Sequence, residues 1–150
     1  MHRPCRVLFV CTHNSARSPT AEAVLRHLTR GRFEVASAGL TPAPRVHAMA
    51  LLALGKLGID ATGLRPKSLD EFAPHQLDYV VTVCDDAREQ CPVVPGPAAR
   101  LHWNCPDPTR VAGTEPDRQR AFDRVATELM TRSRLWLSLP EMAARLGLTI

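Results

Sequence analysis

The chain has 150 residues, 19 basic against 15 acidic side chains, five cysteines and a hydrophobic content of 45%. Roughly 70% of the surface of a chain this long is buried on folding, so one domain over residues 1–150 is expected, with no need of disulfides or a metal. No apolar run nears the roughly 20 residues that cross a bilayer, no signal sequence opens the chain, and no aromatic-interleaved basic stripe points to nucleic acid, so a cytoplasmic protein without membrane or nucleic-acid partners is expected.

Residues 5–10, Cys-Arg-Val-Leu-Phe-Val, are the nearly continuous apolar run of a central parallel strand. The strand ends at Cys11. Ser18-Pro19 is expected to cap the following helix, whose Ala21, Val24, Leu25 and Leu28 keep helical spacing. Phe33 to Ala38 predicts a second strand, and the stripe Val46, Met49, Ala50, Ala53, Leu54 and Leu57 a second helix closed by Gly58. Ser68-Leu69-Asp70-Glu71 has capping-box spacing for a short helix. Residues 77–83 predict a third strand leading to Cys84, and 99–104 a fourth, after which come Cys105 and Asp107. A long helix runs from Thr114 towards Pro140, followed by a short packing tail at 141–150. Alternating strands and helices imply right-handed crossovers: an α/β three-layer sandwich with a four-stranded parallel sheet and helices on both faces. Ligands of such folds bind beyond the carboxyl ends of the strands, where these cysteines gather.

Charge is uneven. Residues 1–35 carry six arginines against Glu22 and Glu34, and the remainder balances at 13 against 13. This favours an anion near the amino-terminal end. Across the first strand-to-helix junction runs Cys11-Thr12-His13-Asn14-Ser15-Ala16-Arg17-Ser18. A loop that ends in a helix N-terminus turns backbone N–H groups and the positive end of the helix dipole towards a tetrahedral anion. Arg17 supplies a bidentate fork, and Cys11 stands in the same field as the expected nucleophile. Ser18 is placed to donate a hydrogen bond to that sulfur, and Asn14 suits a left-handed loop position.

Val7 to Ser18, with the later Asp107-Pro108, resembles the low-molecular-weight protein tyrosine phosphatase fold over nearly the whole chain. Within that fold, Val81-Thr82-Val83-Cys84-Asp85-Asp86-Ala87-Arg88-Glu89-Gln90-Cys91-Pro92 is similar to the redox-cysteine segment of the thioredoxin-coupled arsenate reductases. The resemblance implies Cys11 as nucleophile, Arg17 and the amides of residues 12–18 as oxyanion binders, and Asp107 as general acid. It implies arsenate as substrate and arsenite as product, with a Cys11–Cys84 disulfide passed on as Cys84–Cys91. No bound cofactor or metal is implied, thioredoxin is the external reductant, phosphate or sulfate compete for the loop, and a monomer is expected. If residues 84–91 form two helical turns, their ends stand about 10.5 Å apart, beyond the roughly 7 Å that a disulfide spans. Oxidation is then expected to unwind the segment.

Several positions depart from the family pattern. His13 stands where many relatives have glycine. Lys67 stands at an acidic position that, with residues matching Asn14, Glu22 and Ser37, holds potassium in some relatives, so an ammonium group in place of the ion is expected. Cys5 is expected in the core, Cys105 as an oxidisable bystander near the site, and His47, His75 and His102 as ordinary surface or packed residues. The alternative enzyme is a low-molecular-weight protein tyrosine phosphatase using Cys11, Arg17 and Asp107. Only Trp103 lies near Asp107-Pro108 in the chain to frame an aromatic ester. A metal site of Cys84, Cys91, His102 and Cys105 fits no common zinc spacing.

Overall fold

Val7 to Cys11 are all buried, the condition under which a strand is apolar on both faces rather than alternating. In the computed structural model, which describes residues 3–72, 76–85, 89 and 93–147, they lie in a central strand. This strand, β1 (Arg6–Cys11), pairs in parallel with β2 (Glu34–Gly39) on one side and β3 (Tyr79–Thr82) on the other, and β4 (Ala99–His102) adds in parallel to β3. The order is β2-β1-β3-β4. Cys11 lies opposite Gly39 and Val10 opposite Thr82, while the amide of Val83 continues the ladder onto Val10 O. This register brings Cys11 and Cys84 out at the same rim of neighbouring strands.

The pleat divides the core. Val7, Phe9 and Cys11 face Ala21 and Leu25 of α1 (Arg17–Thr29), Leu129 and Trp136 of α3 (Glu115–Leu137), and Met142 of α4 (Pro140–Arg145). Leu8 and Val10 face the other way, onto Val94, Phe72 and Leu69 of a short 3-10 helix, Leu69–Glu71. Helices therefore flank both faces of the four-stranded parallel sheet, as expected. The remaining helix, α2 (Ala48–Lys56), packs Met49, Ala50 and Ala53 against Phe122 and Ala126 of α3, and Leu54 against Ala23 and Val24 of α1. Among the described residues no helix is long and apolar enough to cross a membrane.

Three expectations change in detail. The segment at 68–71 is a single 3-10 turn: Ser68 Oγ accepts from Asp70 N, while Glu71 pairs with Arg65 instead of closing a box. Strands three and four are shorter than predicted, at four residues each. The helix expected to begin on a Ser18 cap begins at Arg17, with Ala16 at the cap position and no side-chain cap bond. The Ser18 hydroxyl is drawn to Cys11 and Asn14 instead. The terminal segment contains α4 as far as Arg145.

Three of the six arginines in the first 35 residues pair with acids away from the rim. Arg3 pairs with Asp78 at 2.9 Å, Arg6 with Glu34 at 2.8 Å, and Arg26 with Glu22. Arg17, by contrast, points its charge at the rim. The helix that backs this arrangement, α3, starts on a complete capping box between Thr114 and Asp117, with Pro116 in its first turn. Thr114→Ala removes the hydroxyl's bonds to Asp117 N and Oδ2 and leaves the one from Thr114 N; a loss of about 1 kcal/mol is expected, seen in calorimetry as a Tm lower by roughly 2–4 °C.

Candidate active site

The loop between β1 and α1 is shaped by where its carbonyls go. Thr12 O accepts from Thr41 N (3.0 Å), His13 O from Ala43 N (2.8 Å) and Ser15 O from His47 N (2.8 Å). In a trans peptide the C=O and the next N–H point in opposite directions. Pulling those three carbonyls towards the chain after β2 therefore turns the N–H groups of His13, Asn14 and Ala16 to the opposite side. Ala16 O is taken by Thr20 N and by Thr20 Oγ1 at 2.6 Å. Asn14 holds the left-handed φ of 52° expected of it. The loop fits this close to β2 because position 39 is glycine: a Cβ there would stand 2.9 Å from Asn14 Cβ and 2.9 Å from Thr12 O.

Cys11 Sγ, at the end of β1, receives the Asn14 backbone N–H at 3.3 Å and lies 2.8 Å from Ser18 Oγ. The direction of the second bond follows from its neighbours. Lys67 N donates to Asn14 Oδ1 (2.9 Å), which fixes the amide so that Asn14 Nδ2 donates to Ser18 Oγ (2.7 Å). With an incoming donor on its oxygen, Ser18 keeps its one hydroxyl proton free for the sulfur, to which it donates when Cys11 is a thiolate. Asn14 and Ser18 are wholly buried, so the chain of donors is shielded from water.

Arg17, 3% exposed, is the charge at the centre. Its Nη1 bonds Glu89 Oε1 and, at 3.1 Å, Cys105 O; its Nη2 bonds Glu89 Oε2 at 3.1 Å. Burial lowers its basicity, but the bond to Glu89 and the surrounding negative groups outweigh this and keep it charged. Burial likewise raises the Glu89 carboxyl, and the bonds from Arg17, Asp85 N and Thr12 more than reverse it, to about 2. Asp107 approaches from the loop after β4, with Oδ2 at 3.8 Å from Arg17 Nη2 and from Arg110 Nε. Its other oxygen, Oδ1, accepts from Thr109 N (3.0 Å) and Thr109 Oγ1 (2.7 Å), fixing the carboxylate as the cap of the turn Pro108–Arg110. The adjoining cleft, about 280 Å³, is lined by Asp85, Glu89, Pro106, Asp107, Arg110 and Val111. A larger hollow of about 540 Å³ lies at the opposite, amino ends of β1 and β2, away from these groups.

Beside the loop, Lys67 Nζ sits 2.9 Å from Ser37 O and 2.9 Å from Arg65 O, and 3.8 Å from Glu22 Oε1, which also accepts from Ser37 Oγ at 2.6 Å. Burial lowers its basicity, and Glu22 partly restores it. These residues do not fit a potassium ion. A side-chain ammonium group already fills the space between the oxygens that would bind it.

The structure thus gathers Cys11, residues 12–18, Cys84 and Asp107 at one rim, as the sequence led one to expect. Cys91, the third thiol of the expected relay, and the residues around it lie outside the described residues, as does His75. Cys84 is wholly buried. Cys105 requires a correction. Burial pushes its thiol up to about 12 and leaves it 3% exposed, so it is not an oxidisable bystander. Its backbone serves instead: Cys105 O holds Arg17 and its N–H donates to Cys84 O. Cys5 is packed in the core, its thiol likewise raised by burial, to about 11. His47 accepts from Met49 N as the cap of α2 and stacks on Phe122 at 4.5 Å. Trp103 is buried between Phe9 and Trp136 and lines no part of the cleft. Sequence reasoning missed Glu89, Gly39 and the amides of 41, 43 and 47; only the glycine after a strand offered any local signal.

Known proteins share this fold. The low molecular weight phosphotyrosine protein phosphatase family matches residues 6–146. An arsenate reductase of Shouchella clausii is 35% identical over 126 residues, covering 84% of this chain and 90% of its own. A solved arsenate reductase in the phosphate binding state superposes with a TM-score of 0.71 at 28% identity, covering 89% of this chain and 97% of that one. A thioredoxin-dependent arsenate reductase of Corynebacterium glutamicum superposes with a TM-score of 0.60 at 28% identity, covering 91% of this chain and 65% of that one. The chain belongs to the low molecular weight phosphotyrosine protein phosphatase family, within its arsenate reductase group, and its enzymatic class is the one these proteins share.

Gly39→Ala forces the loop off β2, and overpacking of this kind costs about 1–3 kcal/mol; a lower Tm and loss of inorganic phosphate binding by calorimetric titration are expected. Replacing sodium by potassium at equal ionic strength leaves phosphate binding unchanged, because Lys67 stands in for the ion; tighter binding specific to potassium contradicts this.

Proposed function

We propose that this protein reduces arsenate to arsenite with three of its own thiols and is regenerated by thioredoxin. The observation that carries the reading is the placement of a second cysteine, Cys84, at the carboxyl end of the strand next to Cys11, on the rim that also carries Arg17 and Asp107. A phosphatase needs one thiol and water; a reductase needs a second thiol near the first. Among the described residues, those lining the cleft beside Asp107 include no aromatic side chain, which disfavours a phenyl ester as substrate.

In this reading the arsenate oxygens bind the inward amides of the loop and Arg17. The Cys11 thiolate, accepting from Asn14 N–H and Ser18 Oγ–H, attacks arsenic. Asp107 gives a proton to the departing oxygen, which leaves as water, and a sulfur–arsenic bond remains. The Cys84 thiolate then attacks Cys11 Sγ. The sulfur–arsenic bond breaks with its electron pair going to arsenic, which leaves as arsenite, and a Cys11–Cys84 disulfide forms. Cys91 attacks Cys84 Sγ, frees the Cys11 thiolate and leaves a Cys84–Cys91 disulfide for the thioredoxin dithiol. Sulfate and inorganic phosphate, of the same shape, occupy the loop as competitors.

Arsenate-dependent NADPH oxidation in the presence of thioredoxin and thioredoxin reductase tests the reading. Wild type turns over, and Cys11→Ser, Cys84→Ser and Cys91→Ser each fall at least about 10³-fold, since loss of one member of a unit removes nearly all of its effect. In Cys91→Ser, mass spectrometry after a single turnover finds the Cys11–Cys84 disulfide. A silent wild type that hydrolyses an aryl phosphate, undiminished by Cys84→Ser and Cys91→Ser, makes the protein a phosphatase.

A further inference from the structure

Glu89 belongs to the segment between Cys84 and Cys91, yet its side chain is part of the oxyanion site. The carboxylate has four acceptor positions, and all four are occupied. Oε1 takes Arg17 Nη1 and, at 2.9 Å, Asp85 N; Oε2 takes Arg17 Nη2 at 3.1 Å and Thr12 Oγ1 at 2.8 Å. One acid thus joins the amino end of α1, the loop and the chain just beyond Cys84.

The donors of Arg17 show what this joining does. A guanidinium has five N–H bonds, arranged as an end edge shared by the two Nη atoms, a side edge of Nε and Nη2, and one remaining hydrogen on Nη1. Glu89 grips the end edge, and Cys105 O takes the hydrogen left on Nη1. Among the described residues, the side edge is the part of the fork that no hydrogen bond claims. Asp107 Oδ2 comes no nearer to Nη2 than 3.8 Å, beyond hydrogen-bond distance. A bidentate oxyanion needs two adjacent N–H groups held still, and this edge provides them.

We propose that Glu89 is a positioning residue, the clamp that aims the Nε and Nη2 edge of Arg17 at the oxyanion, and that this clamp and a Cys84–Cys91 disulfide exclude each other. The second half rests on the proposed thiol relay. Glu89 N–H donates to Asp85 O at 2.9 Å, an i to i+4 turn. If the chain continues this turn as a helix from 84 to 91, the two Cα atoms stand about 10.5 Å apart, against the roughly 7 Å limit of a disulfide. Closing the bridge therefore breaks this turn and draws Glu89 from Arg17. The reduced protein holds oxyanion tightly; the oxidised protein holds it weakly until its dithiol is restored. Redox state and oxyanion affinity are thereby linked, and linkage is reciprocal: bound oxyanion makes the disulfide harder to form.

Calorimetric titration with inorganic phosphate tests both halves. Glu89→Gln, whichever way its amide turns, sets an NH2 group against two of the four donors and removes the charge. Reduced E89Q is expected to bind phosphate on the order of tenfold more weakly than reduced wild type, within the usual range of coupling between sites, with Glu89→Asp falling between. Oxidised wild type, its Cys84–Cys91 disulfide verified by peptide mass, shows the same loss, and oxidised E89Q loses nothing further. A merely structural role does not make the redox difference disappear in the variant. The clamp is overturned if reduced E89Q binds phosphate as tightly as wild type or more tightly, which makes Glu89 a competing anion. The linkage is overturned if oxidised wild type with a verified disulfide binds as the reduced form does, and that comparison needs no variant to fold. Oxidation that yields no Cys84–Cys91 disulfide instead refutes the relay and the linkage with it, leaving the clamp to be judged on the reduced proteins.

Discussion

A guanidinium buried to 3% exposure at the start of α1 sets the terms for everything around it. An uncompensated buried charge is expensive, and the cost is met only by partners of good geometry. Arg17 draws those partners from three stretches of chain: Glu89 from beyond β3, Cys105 O and Asp107 from beyond β4, and its own place at the end of the β1 loop. The parallel sheet makes this possible. Order β2-β1-β3-β4 delivers the carboxyl ends of β1, β3 and β4 side by side, so three loops far apart in sequence converge on one cation.

The same logic of satisfied groups shapes the cysteine's surroundings. The loop amides face inward because the carbonyls of Thr12, His13 and Ser15 are occupied on the outer side. The Ser18 hydroxyl lies between the Cys11 sulfur and the Asn14 amide that donates to it, and Asn14 is itself oriented by the amide of Lys67. The Lys67 ammonium group, held by Ser37 O and Arg65 O, anchors that strap from below. The surroundings of Cys11 are thus arranged partly by a residue 56 positions away in sequence. The backbone amide of Lys67 is joined to the sulfur through three hydrogen bonds, by way of the Asn14 side chain and the Ser18 hydroxyl.

The legible part of the sequence was local. Uniform apolar runs and 3.6-residue stripes marked β1, β3, α1, α2 and α3 because both patterns are read within a dozen residues. The loop was legible for the same reason: its cysteine, arginine and serine fall within eight positions. Errors arose where a distant group decided. Ser18 before Pro19 has the local form of a helix cap, but the pull of Cys11 and Asn14 places it inside the helix with its hydroxyl turned to the sulfur. Cys105 looked like an exposed thiol near a site, and only burial shows that its carbonyl matters more than its sulfur. Glu89 gave no signal, since an acid in a charged segment is ordinarily a solvated one. Its role exists only once Arg17 is 72 residues behind it in sequence and in contact in space.

One fold serves hydrolysis or reduction according to the residues that succeed its third strand. In the proposed reaction Cys11, the loop amides, Arg17 and Asp107 transfer the oxyanion to sulfur, and nothing in that step chooses between water and a thiol as the next attacker. That choice falls to the chain beyond β3, which lies beside β1 and so beside the adduct. Here that chain brings a buried cysteine first, then an acid that reaches back to hold the arginine. If the acid came from any other part of the molecule, the oxyanion site would persist unchanged while the cysteines exchanged their bridge. Because it comes from between them, the proposed linkage follows: the site would be assembled only while the thiols remain reduced, and oxyanion bound tightly only when electrons are on hand to reduce it.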